Sequence, residues 1–171
     1  MRLGGARSGA PRTTLGAAAG LLVTMLLAVL LDAAPGSGPM VAPLPAVVLF
    51  FWITHRPEAT PLWISFLFGA LLDVLTGGVL GVNALALMGA HFLAGRLVSG
   101  YALFWMRWAI CALYLAVYLG LGWLLASMAQ FGAAPLGNAP QRWIFGVLWH
   151  PLLEAPLRRL FGGRMAATER R

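Results

Sequence analysis

Lysine is absent from this sequence and acids are scarce: among 171 residues there are 12 basic side chains, all arginine, and only five carboxylates. A soluble domain carries about a quarter charged residues, whereas here the share is 10%. That deficit excludes an ordinary water-soluble globule. The single cysteine, Cys111, lies in an apolar run, so neither a disulfide framework nor a cysteine-rich metal site is available. Long polar stretches are missing too, which leaves no room for a soluble domain of useful size. The chain also lacks a nucleophile elbow, a His-Glu-x-x-His pair, a P-loop and a dinucleotide fingerprint. Asp32 and Asp73 are too far from any protease-like motif to read as a catalytic pair, so the sequence predicts no enzyme, no metal and no cofactor. What is abundant is apolar: 60% of the residues are hydrophobic, which excludes disorder and places the chain in a bilayer.

A membrane helix needs about 20 mainly apolar residues. Six candidate spans follow: 15–31, 40–54, 61–76, 79–98, 108–128 and 143–160. The second is the weakest, because it is short and carries Pro43 and Pro45 near its start; a short span and a re-entrant element both fit it. Pro151 and Pro156 are expected to interrupt the last span. The expected organisation is a basic cytoplasmic N-tail at 1–14, one polytopic helical bundle at 15–160 and a basic cytoplasmic C-tail at 161–171. A cleaved signal peptide is disfavoured, since the first apolar stretch exceeds the usual signal length of roughly 7 to 15 residues.

Arginine positions test this topology independently. With six spans and both termini inside, every arginine falls on the cytoplasmic side except Arg142. Such asymmetry is what sets orientation in membrane proteins, so the net charge of +7 reads as a topology signal and not as a nucleic-acid footprint. Arg158, Arg159 and Arg164 are the predicted cytoplasmic basic anchors, and Arg96 is a snorkelling anchor.

A charge inside a span is expensive and faces a partner or a cavity. Asp73 is the clearest case, and helical spacing puts Gly69, Asp73 and Gly77 on one face at i, i+4 and i+8. Two readings stand side by side. In one, the carboxylate serves a substrate, a proton relay or a partner; in the other, it fixes the hairpin between the third and fourth spans. Gly81 and Asn83 complete the candidate set. His91 reads as a satisfied buried imidazole. His150, Glu154 and Arg158 share a face, where two ligands are too few for a metal and a Glu154–Arg158 pair is expected. Small-residue stripes, Gly16/Gly20/Thr24/Ala28 and Ala86/Ala90/Ala94, suit close helix packing.

The stretch from about Pro39 to Ala94 resembles the MreD family, the membrane component of the bacterial rod-shape machinery. Phe51-Trp52, His55-Arg56-Pro57, Phe68-Gly69-Ala70-Leu71-Leu72-Asp73, Thr76-Gly77-Gly78 and Leu80-Gly81-Val82-Asn83-Ala84-Leu85 carry the resemblance, with Trp149 and Arg158-Arg159 in the final span. The proline- and glycine-rich linker before the second span and Glu154 in the last span depart from the family pattern. The resemblance implies a non-enzymatic, multi-pass inner-membrane scaffold that binds MreC. It implies further work with MreB filaments, RodA and the elongation transpeptidase in lateral peptidoglycan synthesis. It also implies a fold similar to the substrate-binding subunits of energy-coupling-factor transporters. A small-molecule-binding transporter subunit is therefore the alternative function, which an enclosed, outward-facing polar pocket distinguishes.

Overall fold

Each predicted apolar run contains a helix, and proline or glycine marks the boundaries of several of them. The computed structural model describes residues 11–34, 43–98 and 104–162, and six α-helices account for most of them. These are α1 (Pro11–Asp32), α2 (Leu44–His55), α3 (Leu62–Thr76), α4 (Val82–Val98), α5 (Phe104–Ala129) and α6 (Ala139–Gly162), with a 3-10 turn at Pro57–Ala59. No strand occurs among the described residues. Arg164, the rest of the C-tail beyond Gly162, residues 1–10 and the first residues of the second predicted span lie outside them. Pro43 and Pro61 directly precede α2 and α3, where a missing N–H costs nothing. Gly77 closes α3 in the left-handed conformation with φ +65°. There Gly78 N–H donates to the Asp73 carbonyl and Gly77 N–H to Val74, which is a Schellman cap.

α2 is the centre of the bundle. Every residue from Pro45 to Ile53 is buried, and α2 packs against α1, α4, α5 and α6. Uniform hydrophobicity around a helix is the mark of burial on all sides. α1 meets α2 through its small-residue stripe: Thr24 Oγ1 donates to the Gly20 carbonyl at 2.8 Å and accepts Trp52 Nε1–H at 2.9 Å. On α4, Ala86, Ala90 and Ala94 are fully buried within the same core. The outer faces are as apolar as the interior, with Leu26 and Leu27 on α1, Phe66 and Leu67 on α3, Leu113 on α5 and Leu152 on α6 all exposed.

Helix number matches the six expected spans, but helix length does not match uniformly. Among the described residues only Trp105–Ala129 is by itself long and apolar enough to cross a membrane. Gly16–Asp32, Leu44–His55, Leu62–Thr76 and Val82–Leu97 are shorter apolar helices. α6 is long, yet its apolar character is diluted by Arg142, Glu154, Arg158, Arg159 and two prolines.

The expected break in the last span is corrected. α6 runs without interruption through Pro151 and Pro156, although proline in a helix interior leaves the carbonyl one turn earlier without its donor. For Pro151 that carbonyl belongs to Val147, and Trp108 of α5 donates its indole N–H to it at 3.1 Å. A tertiary contact supplies what the proline removes. Trp108→Phe is therefore expected to cost about 1 kcal/mol in detergent unfolding. In a Pro151→Ala background the helix regains its own donor, so the same substitution should cost clearly less. Equal cost in both backgrounds, read from thermal unfolding curves, would show that the two residues are not coupled.

Candidate functional site

Five residues singled out in the sequence, Gly69, Asp73, Gly77, Gly81 and Asn83, converge at one place, the α3–α4 hairpin. Gly69 is buried where the helices touch backbone to backbone: a Cβ there would stand 2.4 Å from Ala84 Cα and 2.7 Å from Asn83 O. That approach lets the Asp73 carboxylate, one turn on, reach the first turn of α4. Oδ2 accepts Gly81 N–H at 2.9 Å and Ala84 N–H at 3.4 Å. Oδ1 accepts Asn83 N–H at 3.0 Å and Asn83 Nδ2–H at 2.9 Å.

This is an N-cap delivered from a neighbouring helix. The first turn of a helix leaves N–H groups without partners and carries partial positive charge, so an anion there is stabilising. The residue in the cap position itself is Gly81, with no side chain to do the work and with φ +96°. Asp73 supplies it instead. Its side chain is 1% exposed and both oxygens are occupied, which leaves no free acceptor for a substrate and no path to an outside partner. Asn83 then passes the network on, because its Oδ1 accepts Tyr118 O–H from α5 at 2.9 Å. Three helices are tied by one carboxylate and one amide.

Two groups near this end were missed as partners in the sequence. Asp32, weighed there only as half of a catalytic pair and set aside, is buried and pairs with Arg142, the one arginine assigned to the outside. The pair joins the end of α1 to the start of α6. A cleft of about 210 Å³ lies beside it, lined among others by Asn83, Tyr118, Asn138 and Arg142.

The opposite end carries a second node. The expected Glu154–Arg158 pair is present at 3.6 Å, but Glu154 Oε1 also faces His55 Nε2 of α2 at 3.5 Å and Arg107 Nη1 of α5 at 3.6 Å. His150 Nδ1 lies 4.0 Å from the other oxygen. The carboxylate is buried, and two guanidiniums with two imidazoles around it make this an ion-pair cluster. Arg158 is half exposed and Arg159 exposed. His91 sits on α4 against Ser65 of α3, its Nδ1 within hydrogen-bond reach of the hydroxyl. Arg96 lies over the Phe92 ring at 4.4 Å. The two polar ends also report chain direction. One gathers the C-terminal ends of α1 and α3 with the N-terminal ends of α4 and α6; the other gathers the end of α2, the start of α5 and the end of α6.

Removing the carboxylate leaves several buried N–H groups without an acceptor, at about 1–3 kcal/mol for each buried group left unpaired. Asp73→Ala is therefore expected to destabilise the protein by roughly 3 kcal/mol or more, and Asp73→Asn by less, since one amide oxygen still accepts. Intrinsic tryptophan fluorescence during thermal unfolding in detergent measures both. Wild-type melting of Asp73→Ala would dismiss the capping role.

Comparison with known proteins gives one match. A family model described as rod shape-determining protein MreD matches residues 14–161. No curated protein matches the chain, and no solved structure does.

Proposed function

The chain belongs to the MreD family of rod shape-determining proteins, and on that premise we propose that it is a multi-pass scaffold of the cell-elongation complex. Membership carries a role in rod-shape determination in the membrane. Beyond it, the reading is that α1 to α6 all lie in the inner membrane, with both tails cytoplasmic. The apolar exterior supports this, since a soluble monomer rarely exposes more than a few hundred Å² of contiguous apolar surface. So does the sorting of charge: Arg56, Arg96, Arg107, Arg158 and Arg159 belong to one end of the bundle and Arg142 to the other.

The observation that carries the scaffold reading is how the buried polar groups are used. Asp73, Asn83 and Tyr118 form one bonded chain and Asp32 and Arg142 another, so at this end the buried polar groups hold helices together, which supports a protein that offers helix faces to partners. The partner most directly contacted is MreC; MreB, RodA and the elongation transpeptidase are engaged directly or through it. The basic cytoplasmic end sits against anionic lipid, at about 1 kcal/mol for each arginine near the surface. Gly69, Asp73, Gly77, Gly81 and Asn83 act by holding the α3–α4 hairpin in the shape that partners meet. A transporter-like small-molecule site is less well supported. The cleft beside Asn83 and Arg142, about 210 Å³, is smaller than the roughly 300–1,000 Å³ of ligand pockets, and its arginine is already paired with Asp32.

Photo-crosslinking in cell membranes tests the scaffold reading. Probes replacing Leu26 of α1, Leu67 of α3 and Leu85 of α4, all exposed, should give a crosslink to MreC from at least one face. Silence from all three, with the probes incorporated, would remove support for direct MreC docking on these helices. Asp73→Ala should also lower MreC co-purification and round the cells. Rod-shaped cells with normal MreC capture would mean that the hairpin does not present the partner face.

A further inference from the structure

The connection between α5 and α6 has three properties that are hard to reconcile with a water-exposed loop. First, no charged residue occurs from Trp108 to Gln141, so the whole of α5 beyond its first turn and the entire loop are uncharged. Second, Met128, Phe131 and Leu136 are exposed, and Phe131 wholly so. Third, much of the loop backbone is bonded locally. Phe131 N–H donates to Met128 O at 3.3 Å and Gly132 N–H to Ser127 O at 3.1 Å. Ala134 N–H donates to Ser127 Oγ at 3.0 Å, and the Ala134 carbonyl accepts Trp123 Nε1–H at 2.7 Å. Non-helical backbone near hydrocarbon needs such internal partners, because lipid provides none.

Phe131 itself is an outlier. It occupies the left-handed position that ends α5, with φ +52°, and is the only non-glycine residue among those described with positive φ. The equivalent position at the end of α3 is Gly77. A bulky side chain disfavours this conformation, and residues held in such conformations cluster at functional sites. Here the backbone turns a phenyl ring away from the protein altogether.

We propose that the α5–α6 loop is an interfacial anchor, with Phe131 inserted into the headgroup–acyl boundary of the outer leaflet and Met128 and Leu136 flanking it. The occupant of this surface is lipid. A neutral loop with an apolar tip suits the boundary layer, where aromatic side chains concentrate, and Trp123 of α5 is tied to the same loop through the Ala134 carbonyl. The anchor fixes the depth of α5, and through Arg142 and Tyr118 the depth of the polar cluster behind it. The inference rests on the membrane reading given above.

The test is spin-label depth measurement on full-length protein in liposomes, in a Cys111→Ala background. A nitroxide at Phe131→Cys should lie about 5–10 Å inside the boundary, colliding with dissolved oxygen more than with an aqueous nickel chelate. A label that meets the chelate as freely as one in water overturns the anchor. A label shielded from both reagents also overturns it, in favour of a protein contact. A second label at Leu113→Cys, exposed on the middle of α5, separates the two levels of the argument. If it too meets the chelate, the membrane reading has failed; if it alone stays in lipid, only the anchor has. Phe131→Gly should raise the melting temperature in detergent by relieving the backbone, while leaving α5 less firmly held at its depth in liposomes.

Discussion

The carboxylate of Asp73 is the contact on which the α3–α4 hairpin depends. An isolated helix start has several N–H groups to satisfy, and α4 begins at a glycine that has no side chain to satisfy them. The solution comes from the neighbouring helix. It works only because Gly69 lets α3 approach α4 to backbone contact, and because Gly77 ends α3 soon enough for the chain to turn back within a few residues. The three glycines and the acid are thus one device. Gly69 sets the distance, Gly77 and Gly81 set the turn, and Asp73 supplies the bonds. Asn83 and Tyr118 then extend that geometry to α5, so a disturbance at the hairpin reaches half of the bundle.

The same demand for polar partners accounts for further contacts across the bundle, although His55 Nε2, Arg107 Nε, His150 Nδ1, Glu154 Oε1 and the Tyr114 hydroxyl are buried without a hydrogen bond. Pro151 removes a donor from α6 and Trp108 restores one from α5. Trp143 of α6 in turn donates to the Ala112 carbonyl of α5 at 2.8 Å. Glu154 is buried among His55, Arg107, His150 and Arg158, drawn from three helices. Pro151 and Glu154 each leave α6 with a local defect or charge that residues of neighbouring helices answer. Such contacts select one packing of six apolar helices over the many that hydrophobicity alone would allow.

This division also explains what the sequence made legible. Helix count, the 69/73/77 face and the separation of arginines are local or compositional, and they can be read from spacing. The five hairpin residues lie within fifteen positions of one another, so their convergence is a short-range pattern too. The Asp32–Arg142 pair, the reach of Arg107 and His55 to Glu154, and the donor from Trp108 to Val147 are different in kind. They join positions far apart along the chain, through a packing order that periodicity does not specify. Glu154 shows the boundary well: its neighbour Arg158, one turn away, was visible, while the partners from α2 and α5 were not. The continuity of α6 belongs with them, since proline predicts a break unless a distant donor is known.

α2 shows why length alone is a poor guide to a helix in such a bundle. Its twelve residues span about 18 Å at 1.5 Å per residue, well short of the roughly 30 Å hydrocarbon core of a bilayer. The length requirement, however, applies to helices that face lipid, where each exposed backbone end must reach water. α2 is enclosed by α1, α4, α5 and α6, and its ends open onto protein. At its start Pro43 packs near Gly146 of α6, and at its finish His55 faces Glu154. The neighbours provide the environment that longer ends would otherwise have to reach. A short helix is thus stable at the centre of the bundle because its neighbours bury it from Pro45 to Ile53, while α5, the longest helix, is the one among the described residues long and apolar enough by itself to cross a membrane.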